Sequence, residues 1–404
     1  MGANSGSFPP TSSQTILNMR KKILIYASDN RGYIEVKNVV NELAQRDCDY
    51  IFVYPTDSQF GYESNIDYFT YPNFESKSVG FLLPFKPDIV LITRESWLPE
   101  TNIIIEFKQI GAIVCNLENS SWLYNNIKTR LEILSRMKFP TNMIDVFFDH
   151  STWTYQSKLE AGWVKGKSIV TGIPKFDSLK TTTPEDIIQK YNLTKPVIVL
   201  YGSMEDNIRS NIINISKEIE NKYGSSHHLF YKPHPKELVD FPNDFTENHL
   251  EQSPLFRLIY DEKEMYEFAQ LGDIHIGIIT SIMYYPLYFN KTIYYINSND
   301  SGVLFDMDLE NFKGNEYNFW APLINVNSWD EFTNKIGEQR VEKFKDRYYS
   351  FINKFKNTLK PYENIVDLNQ KFEYDNTELL ELYDEFNDGN ASQRVANYLI
   401  NIYN

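Results

Sequence analysis

Cysteine is nearly missing from this chain. Only Cys48 and Cys115 occur among 404 residues, both in apolar, strand-like runs. Two isolated thiols in such surroundings exclude a disulfide framework and read as buried free cysteines. An excess of cations is missing too, since 40 Lys and Arg face 54 Asp and Glu for a formal net charge of −14. A general nucleic-acid binder needs a basic stripe, so no nucleic-acid partner is expected. A nucleotide ligand stays compatible, because a few local cations can hold a diphosphate within an acidic protein. No apolar run approaches the roughly 20 residues of a membrane span. Segment 1–22 is rich in Ser, Asn and Pro without an apolar core, and reads as neither signal peptide nor anchor. The expectation is a soluble cytoplasmic protein with no transmembrane segment, contact at a membrane surface being left open.

Metal and cofactor signatures are also wanting. The six histidines, His150, His227, His228, His234, His249 and His275, form no Cys/His ligand spacing, and no Asp-x-Asp element follows a strand end. Neither a Gly-x-Ser-x-Gly elbow, a P-loop nor a kinase signature is found. No metal and no cofactor are therefore expected.

What the chain does have is apolar content and rhythm. With 42% hydrophobic and 15% aromatic residues it is a globular protein, and its length suits two α/β domains. From Lys22 short apolar runs alternate with helical patterns. The expected strands are 23–27, 50–54, 88–92, 112–115, 146–148 and 168–170, with a first helix over 34–46. After the polar stretch 180–185 a second series follows: strands 197–201, 228–231, 273–278 and 292–296, with helices near 208–222, 262–271 and 282–289. Continuous β-branched runs separated by helices indicate parallel sheets covered on both faces. The expected architecture is α/β, two doubly wound Rossmann-like domains facing across a cleft: a flexible segment 1–21, a first domain 22–180, a second domain 181–360 and a helical tail 361–404.

In doubly wound sheets ligands sit beyond the carboxyl ends of the strands, so the residues just after each strand carry the argument. Tyr231-Lys232-Pro233-His234-Pro235-Lys236-Glu237 is the most informative of these segments. The prolines fix φ and cannot donate ladder hydrogen bonds, so the strand stops and a stiff loop begins. A cation and an imidazole side by side at such an end suit a phosphate, which points to a nucleotide-activated donor and group transfer. Gly202 and Ser203 follow strand 197–201 and precede a helix, where a glycine permits close backbone approach and a helix N-terminus attracts anions. Thr280 and Ser281 stand between strand 273–278 and the next helix, as caps or as phosphate contacts. Gly172, Pro174 and Asp177 form the turn after strand 168–170, where the domains join; Asp177 can cap the next segment. In the first domain Glu95 and Glu118 follow strands, and either carboxylate can serve as the general base for an acceptor hydroxyl.

Taken together, the Thr-Gly-Ile-Pro-Lys-Phe-Asp crossover from Thr171, the Lys-Pro-His-Pro loop from Lys232 and the Gly-Ile-Ile-Thr-Ser-Ile turn from Gly277 resemble GT-B glycosyltransferases. The resemblance is to their capsule and teichoic-acid group, which includes CDP-glycerol glycerophosphotransferases, and its motifs span residues 145–297. It implies a nucleotide donor on the second domain and an acceptor on the first, with Lys232 and His234 near the donor phosphates and Thr280 and Ser281 at the phosphate-binding helix start. The glycerophosphotransferases carry a His-Gly pair in a first-domain loop, whereas the loop here, Asn116 to Ser121, has no histidine. The leading expectation is therefore a metal-independent glycosyltransferase moving a sugar from a nucleotide sugar to a glycan or lipid-linked glycan. His234, Lys232, Thr280 and Ser281 would neutralise the departing diphosphate, and Glu118 or Glu95 would act as base. Polyol-phosphate transfer, nucleotide-sugar epimerisation and non-catalytic binding are the alternatives.

Overall fold

The computed structural model describes residues 20–28, 30–55, 60–66, 80–93, 98–118, 143–160, 166–203, 206–234, 237, 253, 255–277, 282, 284–296, 360–362 and 376–402. The first half forms a seven-stranded sheet from β1 (Lys21–Tyr26), β2 (Cys48–Pro55), β3 (Phe60–Ser64), β4 (Ile89–Ile92), β5 (Ile113–Leu117), β6 (Val146–Asp149) and β7 (Lys167–Val170). Its order is β3-β2-β1-β4-β5-β6-β7, and every pairing is parallel except that of the edge strand β3 with β2.

The helices of this half are α1 (Asn30–Leu43), α2 (Leu98–Gln109) and α3 (Thr152–Glu160). Alternation of side chains along β1 divides the core into two layers. Ile23, Ile25 and Ala27 pack with Val36, Val39, Val40 and Leu43 of α1. Leu24 and Tyr26 pack with Ile103, Ile104 and Phe107 of α2. Each fully buried Ile, Leu or Val contributes about 2 kcal/mol, so a strand apolar on both faces has no stable place except between two helical layers.

The second half repeats the plan. Strands β8 (Val197–Tyr201), β9 (His228–Lys232), β10 (Phe256–Leu258), β11 (Ile274–Gly277), β12 (Thr292–Tyr295) and β13 (Lys360–Pro361) make an all-parallel sheet of order β10-β9-β8-β11-β12-β13. Helices α4 (Glu185–Tyr191), α5 (Asp206–Tyr223), α6 (Glu262–Leu271) and α7 (Tyr284–Leu287) accompany it. On one face Ile198 and Leu200 meet Ile212, Ile215 and Ile219 of α5. On the other, Phe230 lies 4.3 Å from the ring of Phe268 and 5.1 Å from that of Tyr191. The two-sheet parallel architecture expected from the sequence is the one observed. The helix expected over 282–289 is shorter, four residues of α7, and the chain turns left-handed soon after it at Asn290, φ 52°.

The chain closes with α8 (Thr377–Tyr383) and α9 (Ala391–Asn401). Although it follows the second sheet, α9 packs on the first: Val395, Ala396 and Leu399 enter the α1 layer, and Tyr398 meets Phe148 edge-on at 5.6 Å. Cys48 and Cys115 are buried free thiols, and burial raises both above the usual range, Cys48 to about 11. Among the described residues no helix is long and apolar enough to cross a membrane.

Candidate functional site

Both sheets reverse their winding at one point, between β1 and β4 in the first and between β8 and β11 in the second. Ligands of doubly wound sheets bind beyond the carboxyl ends at such switch points. In the second sheet Tyr201 of β8 stands in register with Lys232 of β9, so Gly202 and Ser203 emerge beside the Lys232–His234 loop. The amide of Gly202 donates to the carbonyl of Lys232 at 2.9 Å, which locks the two strand ends together. Ser203 and Lys232 are buried, and the Lys232 ammonium donates to the Pro233 carbonyl at 3.2 Å.

Beneath this loop lies a carboxylate that sequence reasoning did not single out. Glu237 is 3% exposed, and its Oε2 accepts the backbone amide of His234 at 2.6 Å. The Tyr231 hydroxyl donates to both of its oxygens, at 3.0 and 3.1 Å. The amide of Glu237 donates in turn to the His234 carbonyl at 2.9 Å. A Glu that reaches back three residues to a backbone amide forms the carboxylate half of a capping box. The spacing His234-x-x-Glu237 was the available signal.

Gly202 shows why the two loops fit. A Cβ there would lie 2.2 Å from Glu237 Oε2, 2.4 Å from the Tyr231 hydroxyl and 2.9 Å from the His234 amide. The close approach that the sequence suggested at Gly202 is made, within the described residues, by the protein's own carboxylate. Thr280, Ser281 and Glu95 lie outside the described residues.

Glu118 follows β5 in the first sheet, 5% exposed. Its amide donates to the Phe148 carbonyl at 3.0 Å, and its own carbonyl lies 3.0 Å from Nε2 of His150. A carbonyl only accepts, so Nε2 carries the hydrogen. His150 is fully buried at the end of β6 and fixes the backbone from which Glu118 projects. Sequence reasoning passed over His150, although it stands just past a strand like the other candidates. Nearby strand ends hold further polar atoms: the buried side-chain oxygens of Ser28, Thr93 and Asn116 have no hydrogen-bond partner among the described residues.

The junction residues make contacts inside the protein. Gly172 has φ +84°, and a Cβ there would lie 2.6 Å from Oδ1 of Asp384. The Pro174 carbonyl accepts from Asn38 Nδ2 at 2.9 Å and from the Ser392 hydroxyl at 3.3 Å. Asp177 does cap a helix, but the helix is α9, over two hundred residues further along the chain, and not the next segment. Phe176 sits edge-on between Tyr285 at 4.9 Å and Tyr288 at 4.8 Å, joining the crossover to the second sheet's helical layer. Among the described residues no group of three or more His, Cys, Asp or Glu is placed to hold a metal ion.

No protein-family model matches the chain, and no curated protein matches it. Solved structures do. S. aureus MnaA with UDP superposes with a TM-score of 0.57 at 16% identity, covering 94% of this chain and 96% of that one. The UDP-GlcNAc 2-epimerase of Neisseria meningitidis bound to UDP-GlcNAc gives 0.53 at 14% identity, covering 94% and 100%. The wall teichoic acid polymerase TagF gives 0.52 at 13% identity, covering 93% and 88%. At these identities the likeness shows the fold. The chain has a GT-B-like fold, built on two doubly wound, mainly parallel α/β sheets.

Proposed function

We propose that this protein acts on a nucleotide sugar bound across the GT-B cleft and transfers the sugar to a hydroxyl acceptor. The observation that carries the reading is the pairing of the Lys232–His234 loop with Gly202 and Ser203 at the carboxyl ends of β9 and β8, beside the switch point. A cation and an imidazole gathered there are chemically matched to a diphosphate. Two of the structures of similar fold were solved with UDP or UDP-GlcNAc, which makes a UDP-sugar the first donor to test.

In this mechanism the acceptor oxygen forms a bond to the anomeric carbon as the bond from that carbon to the donor phosphate oxygen breaks. The electron pair leaves with the nucleoside diphosphate, whose charge Lys232 and His234 offset; this electrostatic term commonly dominates such chemistry. Thr280 and Ser281 supply further phosphate contacts. The acceptor proton passes to Glu118, a buried residue just past β5 whose backbone carbonyl meets His150, or to Glu95. Domain closure excludes the water that would otherwise hydrolyse the donor. Acceptors of the glycan or lipid-linked glycan class fit a first domain with polar strand ends.

Correspondence with whole UDP-GlcNAc 2-epimerases, 94% of this chain against 100% of the Neisseria enzyme, favours a second reading, epimerisation of the nucleotide sugar itself. One experiment separates them. UDP-GlcNAc, or in a parallel arm CDP-glycerol, is incubated with the protein, with and without a panel of glycan acceptors, and nucleotide release and sugar configuration are followed by NMR. Acceptor-dependent UDP release is the expected result. Interconversion of the sugar without acceptor overturns transfer in favour of epimerisation, and turnover of CDP-glycerol alone overturns both.

A further inference from the structure

We infer that Glu237 is a positioning residue of the nucleotide site, acting through His234; this rests on the reading of the Lys232–His234 loop as the phosphate-binding loop. A buried carboxylate costs several kcal/mol unless its oxygens receive hydrogen bonds, and near a bound diphosphate its charge works against the ligand. It is nonetheless placed at the centre of the loop. The 2.6 Å bond from the His234 amide is of the short, charge-assisted kind. Together with the bond from the Glu237 amide to the His234 carbonyl, it holds residue 234 at both its N–H and its C=O. Tyr231, inside β9, anchors the carboxylate from the sheet side. Gly202 abuts the same carboxylate closely enough that even a methyl group would collide, so the β8 and β9 loops share one support. The imidazole of His234 therefore leaves from a backbone fixed by Glu237, and its aim depends on where that carboxylate sits more than on its charge.

Position and charge are separable by substitution. Glu237→Asp keeps the charge and draws it back by one methylene, about 1.5 Å. Glu237→Gln keeps the reach and an acceptor for the His234 amide but carries no charge. UDP affinity is measured by calorimetry for the full chain, for both variants, for His234→Ala, and for each combined with His234→Ala. The expected result is about a tenfold loss for E237D, a loss within about threefold for E237Q, and no further loss from E237D once His234 is alanine. A purely structural carboxylate gives instead the same loss with or without the imidazole, and that additivity overturns the inference. So does wild-type affinity in E237D alongside a weakened H234A. If H234A itself binds UDP as tightly as the wild type, the reading of the loop as a phosphate site fails, a separate outcome visible in the same data. Should E237D fail to fold, Tyr231→Phe, which removes one anchor of the carboxylate, is tested against His234→Ala in the same cycle.

Discussion

The carboxylate of Asp177 accepts the amide hydrogens of Ala391 and Ser392, at 3.0 and 2.7 Å, so a crossover residue caps the last helix of the chain. Asn390, at the N-cap position of α9, turns its own side-chain amide to the Asp388 carbonyl, and Asp177 takes over the capping role. The first amides of a helix have no partner within it, and its N-terminus favours a negative charge. Asp177→Ala should lower the unfolding free energy by about 1–2 kcal/mol, and Asp177→Asn by less, since Asn caps nearly as well. Urea denaturation checks this. An unchanged midpoint for the alanine variant would show that α9 does not need the cap.

Lys175 and Glu35 make a second tie at the same junction, with Nζ 3.1 Å from Oε1 and side chains only 8% and 3% exposed. The ammonium also lies over the rings of Phe176 and Tyr285, at 5.1 and 5.8 Å from their centroids. Removing one partner leaves a buried charge uncompensated, which costs about 3–5 kcal/mol, whereas replacing both with apolar groups is often close to neutral. Glu35→Leu should therefore destabilise strongly. The double variant Glu35→Leu, Lys175→Met should recover most of that loss in the same denaturation assay. Additive losses would mean that the pair is not coupled.

These two ties also mark where sequence reasoning stops. Strands such as Val197–Tyr201 and His228–Lys232 were legible because an apolar run buried on both faces admits one solution, and their ends located Gly202, Ser203, Lys232 and His234 without further information. The edge strand Phe60–Ser64 and the three-residue β10 went unread, being short and held by backbone pairing that leaves little trace in composition. His150 was missed because its partner is a backbone carbonyl 32 residues away, and no side-chain pattern announces such a contact. The return of α9 to the first sheet depends on contacts spanning most of the chain. Glu237 left a local sign, its spacing from His234, which is unremarkable until the loop is seen to fold back on it.

His275 is completely buried in β11, its Nδ1 2.9 Å from the Tyr201 hydroxyl and its Nε2 3.2 Å from the Gly272 carbonyl. The carbonyl fixes Nε2–H as donor, so the tyrosine donates to Nδ1. Burial, helped by the charge of Lys291, holds the ring at about 3, far below the ordinary histidine value of 6.5. A base depressed in the folded state gives its full stability above 6.5 and loses it as the pH falls towards 3, by about 1.4 kcal/mol per pH unit. His275→Phe cannot titrate. The stability gap between wild type and this variant should therefore shrink by about 2 kcal/mol from pH 6.5 to 5. Nitrogen NMR of the wild type should show a neutral ring at pH 5; a protonated ring there would contradict the assignment.

Asp384 titrates in the opposite sense. Its Oδ2 accepts the Tyr288 hydroxyl at 3.0 Å, and its Oδ1 faces the Cα of Gly172. Burial raises its pKa from 3.8 to about 6, and the charge of Asp177 adds to the rise, while the bond from Tyr288 opposes it. Because the folded value lies above the unfolded one, the native state binds the proton more tightly. The contribution to stability is full below about 3.8, declines as the pH rises to about 6, and stays low above that. Asp384→Asn removes the titration, so its stability relative to wild type should improve by about 2–3 kcal/mol between pH 4 and 7 and then level off. Taking the difference between the two proteins cancels the histidine terms, which run the other way. Tyr288→Phe withdraws the hydrogen bond that favours the ionised form, and should shift the decline to higher pH. Urea titrations at pH 4.5, 5.5 and 7 check both variants. A gap that does not change with pH would place the Asp384 carboxyl at its ordinary value and remove the charge from this junction.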